Sequence, residues 1–178
     1  MTNIELCKHI LAEQGNNHTK VVALNTNRGG YYSYINDSIY ISSDNSNDKL
    51  KDIVVICHEC IHSNQSKYLH IANIVASNLE ILAFILAILN MILGCATLAI
   101  LMVYMAICII SIAIRCALEI PAMVNSFEIA KKFCCFDDIH NICNMQKQIG
   151  SKFFIGVLSF SWTRVFRMFL TIVVYCVI

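Results

Sequence analysis

Residues 54–65 read VVICHECIHSNQ, and the fold and chemistry of the chain follow outward from them. His58 and His62 stand four apart with Glu59 directly after the first histidine, an HExxH pattern. On an α-helix this spacing puts both imidazoles on one face, one turn apart, where each can bind the same Zn²⁺ at about 2.0–2.1 Å. Glu59 projects about 100° round the helix from His58, so its carboxylate is expected to reach a water on the metal and not the metal itself. The chemistry expected is peptide-bond hydrolysis, with zinc acidifying the water and Glu59 taking its proton as general base before passing it to the leaving amine. Val54, Val55, Ile56, Cys57 and Ile61 do not suit a solvated helix and predict a mostly buried one. Cys57 and Cys60 are soft ligand types, but helical geometry turns both away from the histidine face and assigns them to packing.

Upstream, residues 3–14 place Ile4, Cys7, Ile10 and Leu11 at helical spacing, and Gly15 follows where a left-handed cap is wanted. Two β-rich runs come next, Lys20 to Asn25 (KVVALN) and Ser38 to Ser43 (SIYISS). They are separated by Asn27, Arg28, Gly29, Gly30 and the tyrosine-rich YYSYIND. These runs predict adjacent, short antiparallel strands joined by a turn. The polar stretch Ser43 to Asp48 supplies N-cap residues for the motif helix. An exposed edge of such a sheet can hold an extended peptide as an added strand. Tyr31, Tyr32 and Tyr34 lie near that edge in sequence and are assigned to turn or core packing.

Downstream the composition changes. The 178 residues are 57% apolar and 14% charged, against about half and a quarter in an ordinary soluble domain. No charged side chain occurs between Ile81 and Ile114. Disorder, a collagenous chain and a purely water-soluble fold are excluded. The apolar stretch from Ile71 to Leu118 is too long for one span of about twenty residues. Asn90, Gly94 and Thr97 interrupt it, so a transmembrane hairpin of roughly 74–93 and 97–117 is expected. Ala83, Ala87, Gly94, Ala96 and Ala99 permit close helix contacts, including a homo-oligomer through the hairpin.

Residues 120–152 are polar again and predict one helix over about 121–134. Phe153 to Ile178 returns to apolar character with Arg164 and Arg167 in its middle, and either a third span or an interfacial helix satisfies that pattern. Lys67, Arg115, Lys131 and Lys132 flank the hairpin while its connection carries no charge, which puts the soluble segments on the cytoplasmic side of a multi-pass cell-membrane protein. The N-terminus MTNIELCKHILAEQGNNHTK lacks a basic segment followed by an apolar one, so the ten cysteines are expected to be reduced. Thirteen Lys and Arg against twelve Asp and Glu give a net charge of +1 with no basic stripe, which excludes nucleic acid as a partner.

A catalytic zinc site needs a third protein ligand and an open position. Glu119, Glu128, Asp137, Asp138 and His140 are the candidates after the hairpin. Glu119 is preferred because it opens the run EIPAMVNSFEIAKKF, where Ala122, Ser126 and Ala130 recur every four residues and allow close packing on the motif helix. Glu128 is the alternative, as is a solvated pairing of Glu128 with Lys131 or Lys132. Glu80 has the character of a buried functional carboxylate, but its position near the start of a span favours an interfacial place.

The order of helix, Gly15, two strands around a tyrosine-rich turn, HExxHSxQ, paired membrane spans and a Glu-x-x-Ala helix resembles the membrane-bound neutral zinc metallopeptidases of the YugP type over roughly residues 3–135. The resemblance implies a membrane-integral zinc peptidase with His58 and His62 as ligands, Glu59 as base and Glu119 completing the site. Two features depart from the family: no apolar segment precedes the first helix, and Glu119-Ile-Pro121 stands where Pro-x-Glu is usual.

The expected fold is therefore α+β. A zincin-like part over 1–70 is fused to a transmembrane hairpin over 71–118, a polar helix over 119–152 that completes the zinc site, and a C-terminal membrane or interfacial helix over 153–178. The expected partners are a peptide or protein substrate and the lipid bilayer. The competing reading is a non-catalytic hairpin protein, or an inactive peptidase relative, that acts in assembly or peptide binding.

Overall fold

The computed structural model describes residues 1–24, 30–42, 49–94, 98–134, 136–151, 166–167, 169–173 and 175. The Asn27 to Gly29 turn, the Ser43 to Asp48 loop, Thr97, Trp162 and Arg164 lie outside them. The chain divides into two compact units, residues 1–67 with 118–150 and residues 68–117 with 151–178.

The first unit is a small α+β body. Helix α1 (Asn3–Glu13) starts with a capping box, in which Glu5 N–H donates to Thr2 Oγ1 and Thr2 N–H donates to Glu5 Oε2. Such a cap satisfies two otherwise unpaired donors and stabilises by about 1 kcal/mol. Gly15 ends the helix at φ +72°, with Gly15 N–H on the Ala12 carbonyl and Asn16 N–H on that of Leu11, as a glycine-terminated helix requires. The buried stripe is Leu6, Cys7, Ile10 and Leu11, so Leu6 replaces the expected Ile4, which is only half-buried.

Strands β1 (Lys20–Leu24), β2 (Tyr31–Ser33) and β3 (Ser38–Ser42) form one sheet in the order β1-β3-β2. The two β-rich runs are neighbours as expected, but they pair in parallel, with Val21 opposite Ile39 and Ala23 opposite Ile41. The expected antiparallel pairing is corrected by β2. Its three residues of the tyrosine-rich segment pair antiparallel to β3 and add one more chain reversal, so β3 runs in the direction of β1. Asp37, at φ +45° in the turn before β3, accepts from Thr19 Oγ1 at 2.9 Å and from the Tyr32 hydroxyl at 3.1 Å. These bonds hold an aspartate in a conformation that few side chains other than Asn and Asp adopt readily.

Helix α2 (Lys49–Asn64) buries Ile56, Cys57 and Cys60 in the core with α1 and with Ile39 and Ile41 of β3. Cys60 Sγ lies 3.5 Å from Cys7 Sγ as a free thiol. The same core takes in Phe127, Ala130 and Ile142. Phe127 and Ala130 belong to α4 (Leu98–Phe133) and Ile142 to α5 (Phe136–Ser151).

Two sequence expectations change here. The separate helix over 121–134 is the continuation of α4, which passes through Pro121 without ending. Proline removes the backbone donor to the carbonyl four residues before it and crowds the preceding turn, and in that turn the Leu118 carbonyl accepts from Gln65 Nε2 at 2.7 Å. The second change is α5, an amphipathic helix whose polar composition hides the inward positions of Ile142 and Met145.

The second unit contains α3 (Lys67–Ile92) from Tyr68 onward and the first part of α4, both long and apolar enough to cross a membrane. Gly94, at φ +66°, closes α3 by donating to the Met91 carbonyl. Leu79, Ile81, Leu82, Ile85 and Leu89 are each about half exposed, an arrangement that water disfavours over so large an area.

Candidate metal centre

The motif helix delivers its side chains as the four-residue spacing dictates. His58 Nε2 and His62 Nε2 lie 3.0 Å apart, and each is 3.4 Å from Glu119 Oε2. The three side chains are 22%, 11% and 12% exposed. Adjacent ligand atoms of a tetrahedral zinc with bonds near 2.0–2.1 Å are about 3.3 Å apart, so the triangle has the edge lengths that such an ion needs. Two imidazole nitrogens and one carboxylate oxygen are also a donor set suited to a catalytic divalent metal. This His–His–Glu group is a candidate metal site and does not itself specify which metal.

Around the triangle, the supporting contacts gather at the C-terminal end of α2. His62 Nδ1 is 2.8 Å from Gln65 Oε1, and Gln65 Nε2 donates to the Leu118 carbonyl, one residue before Glu119. Gln65 thereby orients one ligand and holds the backbone that carries another. Asn16, 3% exposed, donates to Ser63 Oγ at 3.0 Å, and Ser63 Oγ donates to the Cys60 carbonyl, which ties the end of α1 to α2 beside His62. Burial pulls the His62 imidazolium down, but hydrogen bonds to Glu119 and Gln65 and the charges of Glu119 and Glu59 outweigh it, and the net shift is upward.

Glu59 points to the sheet. Its Oε2 accepts from the Tyr32 backbone N–H on edge strand β2 at 2.7 Å. Just ahead of β2, a side chain on Gly30 would start 3.0 Å from the Tyr40 carbonyl and 3.6 Å from Glu59 Cγ, so a glycine is needed where strand and helix approach this closely. Burial pushes the Glu59 carboxyl up. The nearby His58 and His62 charges and the Tyr32 N–H pull it back in part, and Glu119 opposes them.

Of the other sequence candidates, the side chain of Asp137 lies outside the described residues. Glu128 is exposed and pairs with Lys131 at 2.7 Å, and His140 is exposed. Cys57 and Cys60 are fully buried on the core side of α2, with the Cys57 thiol pushed up to about 12 by burial. Tyr31 stacks on Tyr40 at 4.8 Å. Asn16 and the Tyr32 amide carry no signal of these contacts in the sequence, where Gly30 reads only as a turn residue and Gln65 only as the last position of HExxHSxQ. Gln65, three residues after His62 at the end of its helix, could have been found from spacing alone.

Outer partners of metal-binding histidines typically change affinity 10- to 100-fold when removed. Gln65→Ala is accordingly expected to weaken the binding of a divalent metal at this site by about that range, measured by competition with a chromophoric chelator. An unchanged affinity would show that Leu118 and His62 hold their places without it.

Fold and site together define a mostly helical α+β protein with two long apolar helices and a candidate His–His–Glu metal centre. Comparison of the chain with protein-family models, with curated proteins and with solved structures finds no match in any of the three.

Proposed function

We propose that the chain is a membrane-integral zinc metallopeptidase of the kind its sequence resembles, the YugP type. The observation that carries this reading is the convergence of His58, His62 and Glu119 on one point, with Glu59 beside the triangle and outside the ligand set. Zinc bound there would supply Lewis acidity toward a scissile carbonyl and a water. His58, His62 and Glu119 would hold the ion. Glu59 accepts the proton at its carboxylate and delivers it to the leaving amine. Its raised affinity for a proton suits a group that must both take and return one near neutral pH. A peptide substrate enters extended along the edge strand β2, whose Tyr32 N–H lies within reach of the base.

The exposed apolar faces of α3 and α4 support lipid as their solvent. The charges of Lys67, Arg115, Lys131 and Lys132 on one side of the hairpin support a cytoplasmic placement of the site in a multi-pass membrane protein.

Full-length protein purified in detergent is expected to carry about one zinc per chain, as a single three-ligand site implies. It should cleave unstructured peptides, lose that activity to a chelator and regain it on adding zinc. Wild-type protein that neither retains nor takes up zinc would refute the proposal.

A further inference from the structure

Tyr32 is held at both of its ends. Its backbone N–H, at the middle of β2, donates to Glu59 Oε2 at 2.7 Å, and its phenol donates to Asp37 Oδ1 at 3.1 Å. Burial and the Asp37 charge push the phenol above its ordinary range, so it is a donor at neutral pH. Asp37 is itself fixed. Lys20 N–H, at the start of β1, donates to its carbonyl at 3.0 Å, and Thr19 Oγ1 donates to the same Oδ1 at 2.9 Å. His18 Nε2, on an exposed side chain, lies 3.6 Å from Oδ2. A chain of contacts therefore runs from β1, across the sheet through Asp37 and Tyr32, to the carboxylate of Glu59.

Glu59 needs such a support. A glutamate oxygen is a competent zinc ligand at about 2.0–2.2 Å. Glu59 follows a ligand directly in sequence, and it is close enough to both histidines for their charges to act on it. What makes this carboxylate a base and not a further ligand is where it is held. Among the described residues, the Tyr32 N–H is the one hydrogen bond shown to it, and that bond draws Oε2 toward the sheet. Strand β2 is three residues long, and so short a strand has few ladder bonds to fix that N–H. The phenol bond to Asp37 adds a second point of attachment.

We infer that Tyr32 and Asp37 are positioning residues for the base: the edge strand, anchored at Asp37, holds Glu59 beside the metal and outside its ligand set. The inference rests on the metallopeptidase reading above. With the anchor lost, Glu59 is free to turn onto the metal, which would occupy the position that water needs and remove the base in the same movement.

Tyr32→Phe in full-length, detergent-purified protein tests this, because it deletes the phenol oxygen and keeps the ring and the backbone N–H. The readouts are steady-state cleavage of dye-labelled casein and the visible spectrum of the Co²⁺-substituted protein, which reports the coordination sphere. The expected kcat is about 10- to 100-fold lower, the range that loss of a hydrogen bond to a charged group allows, with a much smaller change in KM. The Co²⁺ bands should change as a carboxylate enters the coordination sphere. In a Glu59→Gln background the same substitution should leave those bands unchanged, since a neutral amide is a far weaker ligand. Asp37→Asn keeps an acceptor without the charge, in a residue type that tolerates the φ of +45°. Its kcat should fall between those of wild type and Tyr32→Phe, because a neutral hydrogen bond has roughly half the strength of a charged one.

A loss of kcat/KM carried by KM alone, with wild-type Co²⁺ bands, would make the pair a support of the strand only and overturn the inference. Unchanged kinetics in Tyr32→Phe would also overturn it, as would a spectral change that persists in the Glu59→Gln background. Wild-type protein that binds neither Zn²⁺ nor Co²⁺ would instead remove the metallopeptidase reading, and this inference with it.

Discussion

Changing His58 and His62 together to alanine is expected to reduce bound zinc from about one per chain to background, the largest effect that any substitution here should produce. Both imidazole nitrogens lie within 3.4 Å of Glu119 Oε2, and their loss leaves one carboxylate, which is not a zinc site at micromolar metal. The same variant should lose the stabilisation that metal gives the wild type. Binding only to the folded state contributes about 2.7 kcal/mol when free zinc is one hundred times its dissociation constant. A thermal shift on adding zinc should accordingly be present in the wild type and absent in the double variant. The hydrophobic contacts of α2 run through Ile56, Cys57 and Cys60, so the metal-free variant should keep the helical content of the metal-free wild type. Equal zinc in wild type and variant would refute the assignment of these ligands.

Glu59→Gln should separate binding from chemistry. Glutamine keeps the size of the side chain and an acceptor for the Tyr32 N–H, but it cannot take a proton at neutral pH. Zinc content should stay near that of the wild type because Glu59 is outside the ligand triangle. Peptide hydrolysis should fall by about 10²- to 10⁴-fold, the usual contribution of a positioned general base. Activity that survives the change would remove Glu59 from that role. Loss of zinc along with activity would instead make it part of the metal site.

Stability provides a second, independent reading of the same variant. Burial raises the Glu59 carboxyl above its ordinary 4.5, so the metal-free native state holds this proton more tightly than the unfolded chain does. Its contribution to stability is present below that value and is lost as pH rises through the folded value. The neutral glutamine has no such loss. Metal-free Glu59→Gln should therefore gain stability relative to metal-free wild type as pH rises above about 4.5, measured by denaturant midpoint at several pH values.

The parts of this protein that its sequence determines are those that depend on residues close together along the chain. Helical period alone aligns His58 with His62 and turns Cys57 and Cys60 toward the core. Gly15 ends α1 because only a few residues adopt its backbone conformation without cost. The uncharged stretch from Ile81 to Ile114 marks out two long helices by composition.

Tertiary structure decides what depends on residues far apart in sequence. In sequence, Glu119 is preferred over Glu128 only by its place after the apolar stretch, at the head of a run of small residues. Its selection in three dimensions comes from an α4 that continues through Pro121 and is held at Leu118 by Gln65. Strand direction is not legible in the sequence because β2 is three residues long, too short for alternation to register, and its pairing is a property of β3 as much as of its own side chains. Glu80 reads in sequence as a carboxylate near the start of a span, whereas the structure buries it against Ser111 and Arg167. Local period and capping energies act within one or two turns and are therefore written in the sequence. The convergence of His58, His62 and Glu119, like the pairing of Glu80 with Arg167, depends on where distant helices pack, and only the assembled chain specifies that.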